Sequence, residues 1–179
     1  MRTWQAGTIE PSPRRAGFSL IEVLVVLVIV GVMTAALTLS IRGSGERAVE
    51  NAAQRARALI LLACERAVLS GRDIGFTPVR DGLRFGYFGR EGWQPMPEGG
   101  HDELRARALG PGLELAASRD GVDLPLADEP GTEPAFACLS SGELTPFTLH
   151  LARADAELTW QLQGQLDGTI EMRQVAGAF

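Results

Sequence analysis

One run of apolar residues limits what this chain can fold into. In residues 18–41 the only ionisable side chain is Glu22, close to the start of the run. As a helix, this run would be about 36 Å long, which exceeds the roughly 30 Å hydrocarbon core of a bilayer. Arg14 and Arg15 precede it, and the positive-inside tendency therefore leaves the N-terminus in the cytoplasm. The sequence predicts a single transmembrane helix over residues 18–41.

A secretory signal is the alternative interpretation of this run. Such a signal has an apolar core of about 7–15 residues, followed by a cleavage site of small residues. The run here is longer, no clear A-x-A sequence stands at its far end, and Gly17 lies before it. These features favour a membrane span.

The residues on either side of the span differ in character. Residues 1–17 contain two prolines and no apolar periodicity, so we expect them to lie outside the fold. Residues 42–45, RGSG, are a weak point for a helix. Residues 46–71 are rich in Ala, Leu, Glu and Arg, which predicts an amphipathic helix that stops at Gly71. Its predicted apolar face consists of two rows: Ala52, Leu59, Leu62, Arg66 and Leu69; then Leu61, Cys64 and Val68.

Beyond the helix the apolar period changes to that of strands. Asp81-Gly82 and Asp167-Gly168 are turn dipeptides that favour hairpins. The sequence therefore predicts an α+β fold, in which an antiparallel β domain (residues 72–179) packs on an amphipathic helix (residues 42–71). Strands are predicted at 74–79, 83–88, 135–139, 147–152, 157–163 and 169–175, with weaker ones near 104–109 and 113–117.

Charge argues against nucleic-acid binding. The chain carries a net charge of −5, and removal of residues 1–17, with three arginines and one glutamate, makes it −7. An acidic domain lacks the basic surface that binds phosphate backbones. Arg80, Arg84 and Arg90 on one predicted hairpin are the exception, and they keep a DNA-binding protein open as an alternative.

Two readings of Cys64 and Cys138 stay open. Cys64 shares a helix face with Leu61 and Val68, so it can be a small buried apolar residue. If the domain lies outside the cytoplasm, a disulfide between the two cysteines is the alternative.

No motif predicts a catalytic, cofactor-binding or metal-binding site. Ser140 or Ser141, His150 and Asp155 are the residue types of a catalytic triad, but the sequence has no G-x-S-x-G nucleophile elbow and nothing in it fixes their geometry. His101 and His150 lack paired ligand spacing with the cysteines, and no acidic segment matches a calcium loop. We therefore expect neither an enzyme nor a cofactor. The acidic residues considered for a calcium loop are Asp120, Asp123, Asp128 and Glu129.

The start of the apolar run carries a more specific pattern. Residues 17–24, GFSLIEVL, resemble the class III signal of type IV pilins and pseudopilins. The resemblance implies that a prepilin peptidase cuts between Gly17 and Phe18 and methylates the new amino group of Phe18. It also implies that Glu22 meets such an amino group on a neighbouring subunit and sets the register of a filament. Residues 1–17 are then a cleaved leader.

The C-terminal half narrows the resemblance. Residues 135–172, with the turn SGELTPF and a Trp-containing strand, and residues 60–76 resemble minor pseudopilins of the GspH/FimT family. The resemblance implies a subunit of a type II secretion pseudopilus, near its tip, with a FimT-like pilin for pilus assembly or DNA uptake as the alternative. It implies an inner-membrane anchor and a periplasmic domain. The implied partners are the peptidase, other pseudopilins, the inner-membrane assembly platform and the secreted substrate.

Overall fold

A computed structural model describes residues 19–97, 102–154 and 156–176, and within these it leaves out the side chains of residues 36–44. Gly17 and Phe18, the predicted cleavage site, lie outside the described residues. Contacts between Cα atoms divide the chain into two compact units between Leu39 and Ser40. The second unit, residues 40–179, contains the second part of the long helix and all of the described strands.

Helix α1 (Leu20–Ser70) is helical throughout, including residues 42–45, where the sequence predicted a weak point. Its end is well defined. Gly71 has a φ of +64°, and its N–H donates to the Val68 carbonyl, while the Arg72 N–H donates to the Ala67 carbonyl. These two bonds form a Schellman motif, which requires a residue that tolerates a left-handed backbone. The predicted stop at Gly71 is therefore confirmed.

The buried face of α1 differs from the predicted one. Val68 and Leu69, predicted on that face, are 49% and 78% exposed. The centre of the face is instead a row of mainly small residues, because a methyl side chain lets the helix axis approach the sheets closely. The larger leucines lie at its sides, half-buried. The buried members of this alanine row are Val49, Ala52, Ala53, Ala56, Ile60, Ala63 and Ala67.

Ten strands form two antiparallel sheets. The first has the order β3-β2-β1-β7, with β4 also paired to β2, and the second has the order β10-β9-β8-β5-β6. The strands are β1 (Ile74–Val79), β2 (Gly82–Gly89), β3 (Gly92–Pro95), β4 (Arg107–Ala108), β5 (Leu113–Arg119), β6 (Val122–Leu124), β7 (Phe136–Cys138), β8 (Phe147–Arg153), β9 (Leu158–Gly164) and β10 (Ile170–Ala176).

The α+β prediction is confirmed, and all six strongly predicted strands are present. The first hairpin turns at Arg80 and Asp81, because Val79 pairs with Gly82. The expected turn dipeptide is thus shifted by one residue. Strands β3 and β6 were not predicted.

One core joins the helix to both sheets. Phe76, Phe85, Phe136 and Phe147 form its aromatic centre, with ring centroids 5.3–5.9 Å apart. Phe147 lies in the second sheet, whereas the other three lie in the first. This aromatic cluster therefore couples the sheets through close-packed rings.

Candidate functional site

The first turn of α1 is capped by Ser19. The Glu22 N–H donates to Ser19 Oγ at 3.3 Å and to the Ser19 carbonyl at 3.0 Å. This is the N-cap arrangement, and Glu22 follows the cap by three residues, where a carboxylate also interacts favourably with the helix dipole. Sequence reasoning missed the cap, although the S-x-x-E spacing signals it. Glu22 is thus held in an exposed, well-formed first turn.

The apolar segment that follows exposes large side chains around its whole circumference. From Leu20 to Met33, twelve of its large apolar side chains are between 48% and 84% exposed. A helix that is apolar on all sides is normally covered by lipid or by other chains. Within the ranges whose side chains are described, no helix has the length and apolar character needed to cross a membrane. The predicted span, residues 18–41, extends beyond those ranges at both ends.

A disulfide ties the second part of α1 to the first sheet. The sulfur atoms of Cys64 and Cys138 are bonded, and their Cα atoms are 4.8 Å apart. Cys64 lies beside the buried alanine row, and Cys138 ends β7. The bond closes a loop across a sequence separation of 74 residues. Of the two readings left open by the sequence, the structure has the disulfide.

An ion pair holds the segment after β3 against the same helix. Arg66 Nη1 donates to both carboxylate oxygens of Asp102, at 2.7 and 2.8 Å, and Asp102 also accepts from the Leu104 N–H. Partial burial works against the charged form of Asp102, but the hydrogen bonds from Leu104 and Arg66 outweigh it and lower the pKa of Asp102. The bond to Asp102 correspondingly raises the pKa of Arg66.

The arginines considered for DNA binding have acidic partners. Arg80 Nε is 3.0 Å from Asp128, and Arg84 Nη2 is 3.0 Å from Asp81. Arg84 is also largely buried, with 12% of its side chain exposed. These contacts pair two of the three cations with carboxylates, which argues against a basic patch on this hairpin.

The serines considered for catalysis lie next to carboxylates outside the predicted triad. The Ser140 N–H donates to Asp73, and Ser141 Oγ donates to Glu143. Burial lowers the pKa of His150, opposed by Asp123 and supported by Arg173. In the part of the chain that the structure describes, no three His, Cys, Asp or Glu residues are grouped to hold a metal. His101 and Asp155 lie outside that part.

Two family descriptions match this chain. The prokaryotic N-terminal methylation motif matches residues 12–38, and the type II transport protein GspH matches residues 52–168. Type II secretion system protein H of Pseudomonas aeruginosa is 34% identical over 153 residues, which cover 79% of this chain and 85% of that protein. The protein of the same description in Aeromonas hydrophila is 29% identical over 159 residues, with 82% and 86% covered.

Solved structures agree in fold. A crystal structure of the minor pseudopilin EpsH from the type II secretion system of Vibrio cholerae aligns with a TM-score of 0.57 and 30% identity, covering 74% of this chain and 97% of that one. The solution structure of E. coli GspH aligns with a TM-score of 0.54 at 23% identity, over 73% and 89% of the two chains. The fold is therefore that of a pilin-like subunit. More narrowly, the chain belongs to the GspH family of type II transport proteins and is a minor pseudopilin of a type II secretion system. Of the two family members left open by the sequence, this favours the secretion subunit over the FimT-like one.

Proposed function

We propose that this subunit is made as a precursor anchored in the inner membrane. A prepilin peptidase removes residues 1–17 by cutting between Gly17 and Phe18, and methylates the amino group of Phe18. The match of residues 12–38 to the methylation motif supports this. Glycine suits the cut because it lets the protease approach the backbone closely. Residues 18–41 cross the membrane, and residues 42–71 and 72–179 lie in the periplasm.

The observation that carries the assembly step is an exposed helix, apolar on all sides, with one carboxylate in its capped first turn. Apolar side chains alone allow many axial offsets between packed helices. A carboxylate removed from water needs a cationic partner, and the amino group of Phe18 on a neighbouring subunit supplies one. Glu22 therefore fixes the register in which the subunit joins the periplasmic pseudopilus, as a buried polar residue does in a coiled coil.

The proposed role is structural. The subunit contacts other pseudopilins through α1, is extracted from the membrane by the inner-membrane assembly platform, and sits near the tip of the filament that drives export of folded proteins. The loops within residues 95–134 are where we propose contact with the secreted substrate. No catalytic step is assigned to this chain, and the acidic partners of Arg80 and Arg84 argue against DNA as a ligand.

Mass spectrometry of the mature protein tests the processing step. We expect a chain that begins at Phe18 and carries one additional methyl group on its amino terminus. Gly17→Val should abolish both changes, because a branched side chain obstructs the cut. An unprocessed N-terminus in the active secretion system would contradict the proposal.

Glu22→Gln tests the register step separately. The variant should be cleaved and inserted normally but recovered at least tenfold less in sheared or cross-linked pseudopilus fractions, because the amide cannot neutralise an amino group. Glu65→Gln removes an exposed carboxylate from the same helix and should assemble as wild type. Equal incorporation of the two variants would contradict a role for Glu22 in register.

A further inference from the structure

A groove runs between α1 and β10, the strand at one end of the second sheet. It has a volume of about 790 Å³ and is open to solvent. Ala58 and Leu61 line it on the helix side, and Ile170 and Met172 line it on the strand side. We call it the α1–β10 groove. In the part of the chain that the structure describes, β10 pairs only with β9, so one edge of this strand is free.

The hydrogen bonds of the β9–β10 hairpin show which backbone groups lie at the free edge. The Gln165 N–H donates to the Thr169 carbonyl at 2.9 Å, so these two residues form a hydrogen-bonded pair. Such pairs alternate with non-hydrogen-bonded pairs along an antiparallel ladder. Every second residue from Ile170 to Gln174 therefore directs its N–H and C=O groups away from β9. Arg57 on α1 agrees with this, because its Nε donates to the Ile170 carbonyl at 3.0 Å, and the free edge thus faces the groove.

This edge is only partly covered. Arg57 occupies the Ile170 carbonyl, whereas the outward N–H and C=O groups of Met172 and Gln174 have no backbone partner among the described residues. A free strand edge of this kind pairs readily with an added strand. An extended segment in the groove can therefore bond to Met172 and Gln174 without displacing a hydrogen bond of the domain.

The backbone pattern fixes the register of such a segment. A strand that bonds to the outward groups of Met172 and Gln174 has its middle residue opposite Arg173, whichever way it runs. Shifted by two residues, the same strand would lie opposite Glu171 and would need the Ile170 carbonyl, which already accepts from α1. The register centred on Arg173 is therefore the one that is open.

The charges beside β10 favour an acidic residue at the middle position. Arg173 is exposed; its Nε donates to Gln161 at 3.0 Å, and no carboxylate pairs with it within the described residues. Glu171 lies about 7 Å away along the strand and accepts from Gln165 Nε2 at 3.1 Å. A carboxylate directly opposite Arg173 forms a favourable cross-strand pair, whereas a cation there is repelled.

The two neighbours of that middle residue meet an apolar surface. Side chains alternate along a strand, so both neighbours lie on the face of Met172. Met172 and Leu61 pack on the core and line the groove together with the exposed Ala58. Apolar side chains at these two positions lose contact with water, which stabilises the complex. The groove therefore suits an apolar–acidic–apolar strand.

We propose that the α1–β10 groove binds an extended segment of a partner protein, which adds a strand to β10. The segment carries a carboxylate opposite Arg173 and an apolar residue on each side of it, packed over Leu61 and Met172. This site goes beyond the assembly function proposed above. It uses neither Phe18 nor Glu22, so it can be tested on an unassembled chain.

The test is an NMR titration of the full chain in detergent micelles that follows the backbone N–H signals of Met172 and Gln174. The probe is acetyl-Thr-Val-Glu-Val-Thr-amide, and its counterparts carry Gln or Lys in place of Glu. We expect saturable shifts of both signals, with binding of the Gln peptide about two- to fivefold weaker, as a cross-strand ion pair implies. Methylation of the valine and glutamate nitrogens of the probe removes its central N–H donors and should weaken binding at least tenfold.

Variants separate backbone pairing from charge. Gln174→Pro removes an outward N–H and keeps the bonds to β9, which an edge strand tolerates, and it should weaken binding of all three peptides at least tenfold. Arg173→Glu should bind the Lys peptide more tightly than the Glu peptide, which reverses the preference of the wild type. Arg55→Gln, an exposed position of α1 outside the groove, is the matched control and should bind as wild type.

Three results would overturn the proposal. The first is equal binding of the probe and its N-methylated form. The second is an unchanged preference for the Glu peptide in folded Arg173→Glu protein with its disulfide intact. The third is a full chain that is dimeric by light scattering and becomes monomeric in the Gln174→Pro variant, because a second copy would then occupy the groove.

Discussion

The two parts of α1 have the same helical backbone, but the side chains of the first part are exposed and a row of side chains in the second part is buried. Between Leu20 and Met33 large apolar side chains are exposed on every side, whereas between Val49 and Ala67 a row of mainly alanines is buried at 0–2% exposure. The first part is rich in Val, Leu and Ile, whose bulk suits lipid or other helices. The second part uses methyl groups to bring sheets close. Burial within the chain thus selects small residues in the second part, whereas the exposed first part carries large ones.

The same charge placed in the two parts of α1 should have very different effects. Val49 is fully buried and Val28 is 57% exposed. Val49→Asp should destabilise the β domain by more than about 3 kcal/mol, because an unpaired carboxylate enters the core. Val28→Asp should leave thermal unfolding of the β domain unchanged and instead reduce recovery of the protein in the membrane fraction.

Circular dichroism and membrane fractionation read the two effects separately. If Val28→Asp lowered the melting temperature of the β domain as much as Val49→Asp, the division of α1 into an intermolecular and an intramolecular part would be wrong.

The disulfide also distinguishes the two parts of α1, because it links only the second part to a sheet. Replacement of Cys64 and Cys138 by alanine should cost up to about 4 kcal/mol of unfolding free energy, since the closed loop is long. Denaturant unfolding in oxidising buffer measures the loss. Reductant should lower the stability of the wild type to that of the double variant and should not affect the variant itself. A double variant as stable as oxidised wild type would show that the bond adds nothing to the domain.

Loss of the Arg66–Asp102 pair should have a smaller effect than loss of the disulfide, because the two side chains are 29% and 41% exposed and solvent screens them. The folded-state pKa of Asp102 is lowered, so its contribution is present above the unfolded-state value and is lost as pH falls below about 4. Asp102→Asn should therefore lower stability by less than about 1 kcal/mol at pH 7, and by less as the pH approaches 3.

Asp128→Asn is the control, because its pair with Arg80 is 84% and 71% exposed. It should change stability less than Asp102→Asn at pH 7. Urea midpoints at the two pH values test both statements, and a larger loss for Asp102→Asn at pH 3 than at pH 7 would have the wrong sign.

The sequence predicted the fold class and the long strands because their apolar residues alternate, as Phe147, Leu149 and Leu151 do in β8. It missed β3 and β6, which are only four and three residues long and include Gly92, Pro95 and Asp123. Short strands of this composition carry too little periodicity to be recognised.

The helix face was misjudged for a different reason. The leucines are the most prominent residues of the apolar pattern. The distance between helix and sheet, however, decides which side chain fits, and where the helix approaches the sheets most closely the buried residues are mainly alanines. The packing of Trp93 and Pro134 on the first sheet was not predicted at all. Trp93 and Pro134 belong to separate segments, and both lie against the paired glycines Gly75 and Gly86.

The bond between Cys64 and Cys138 also determines how a pulling force passes from α1 to the first sheet. A force that pulls on α1 near its C-terminal end reaches β7 through covalent sulfur, not through hydrogen bonds and packed methyl groups alone. Traction on the helix therefore cannot peel Cys64 away from Cys138 without breaking a covalent bond. When the subunit is pulled by its helix, the first sheet therefore moves with the helix.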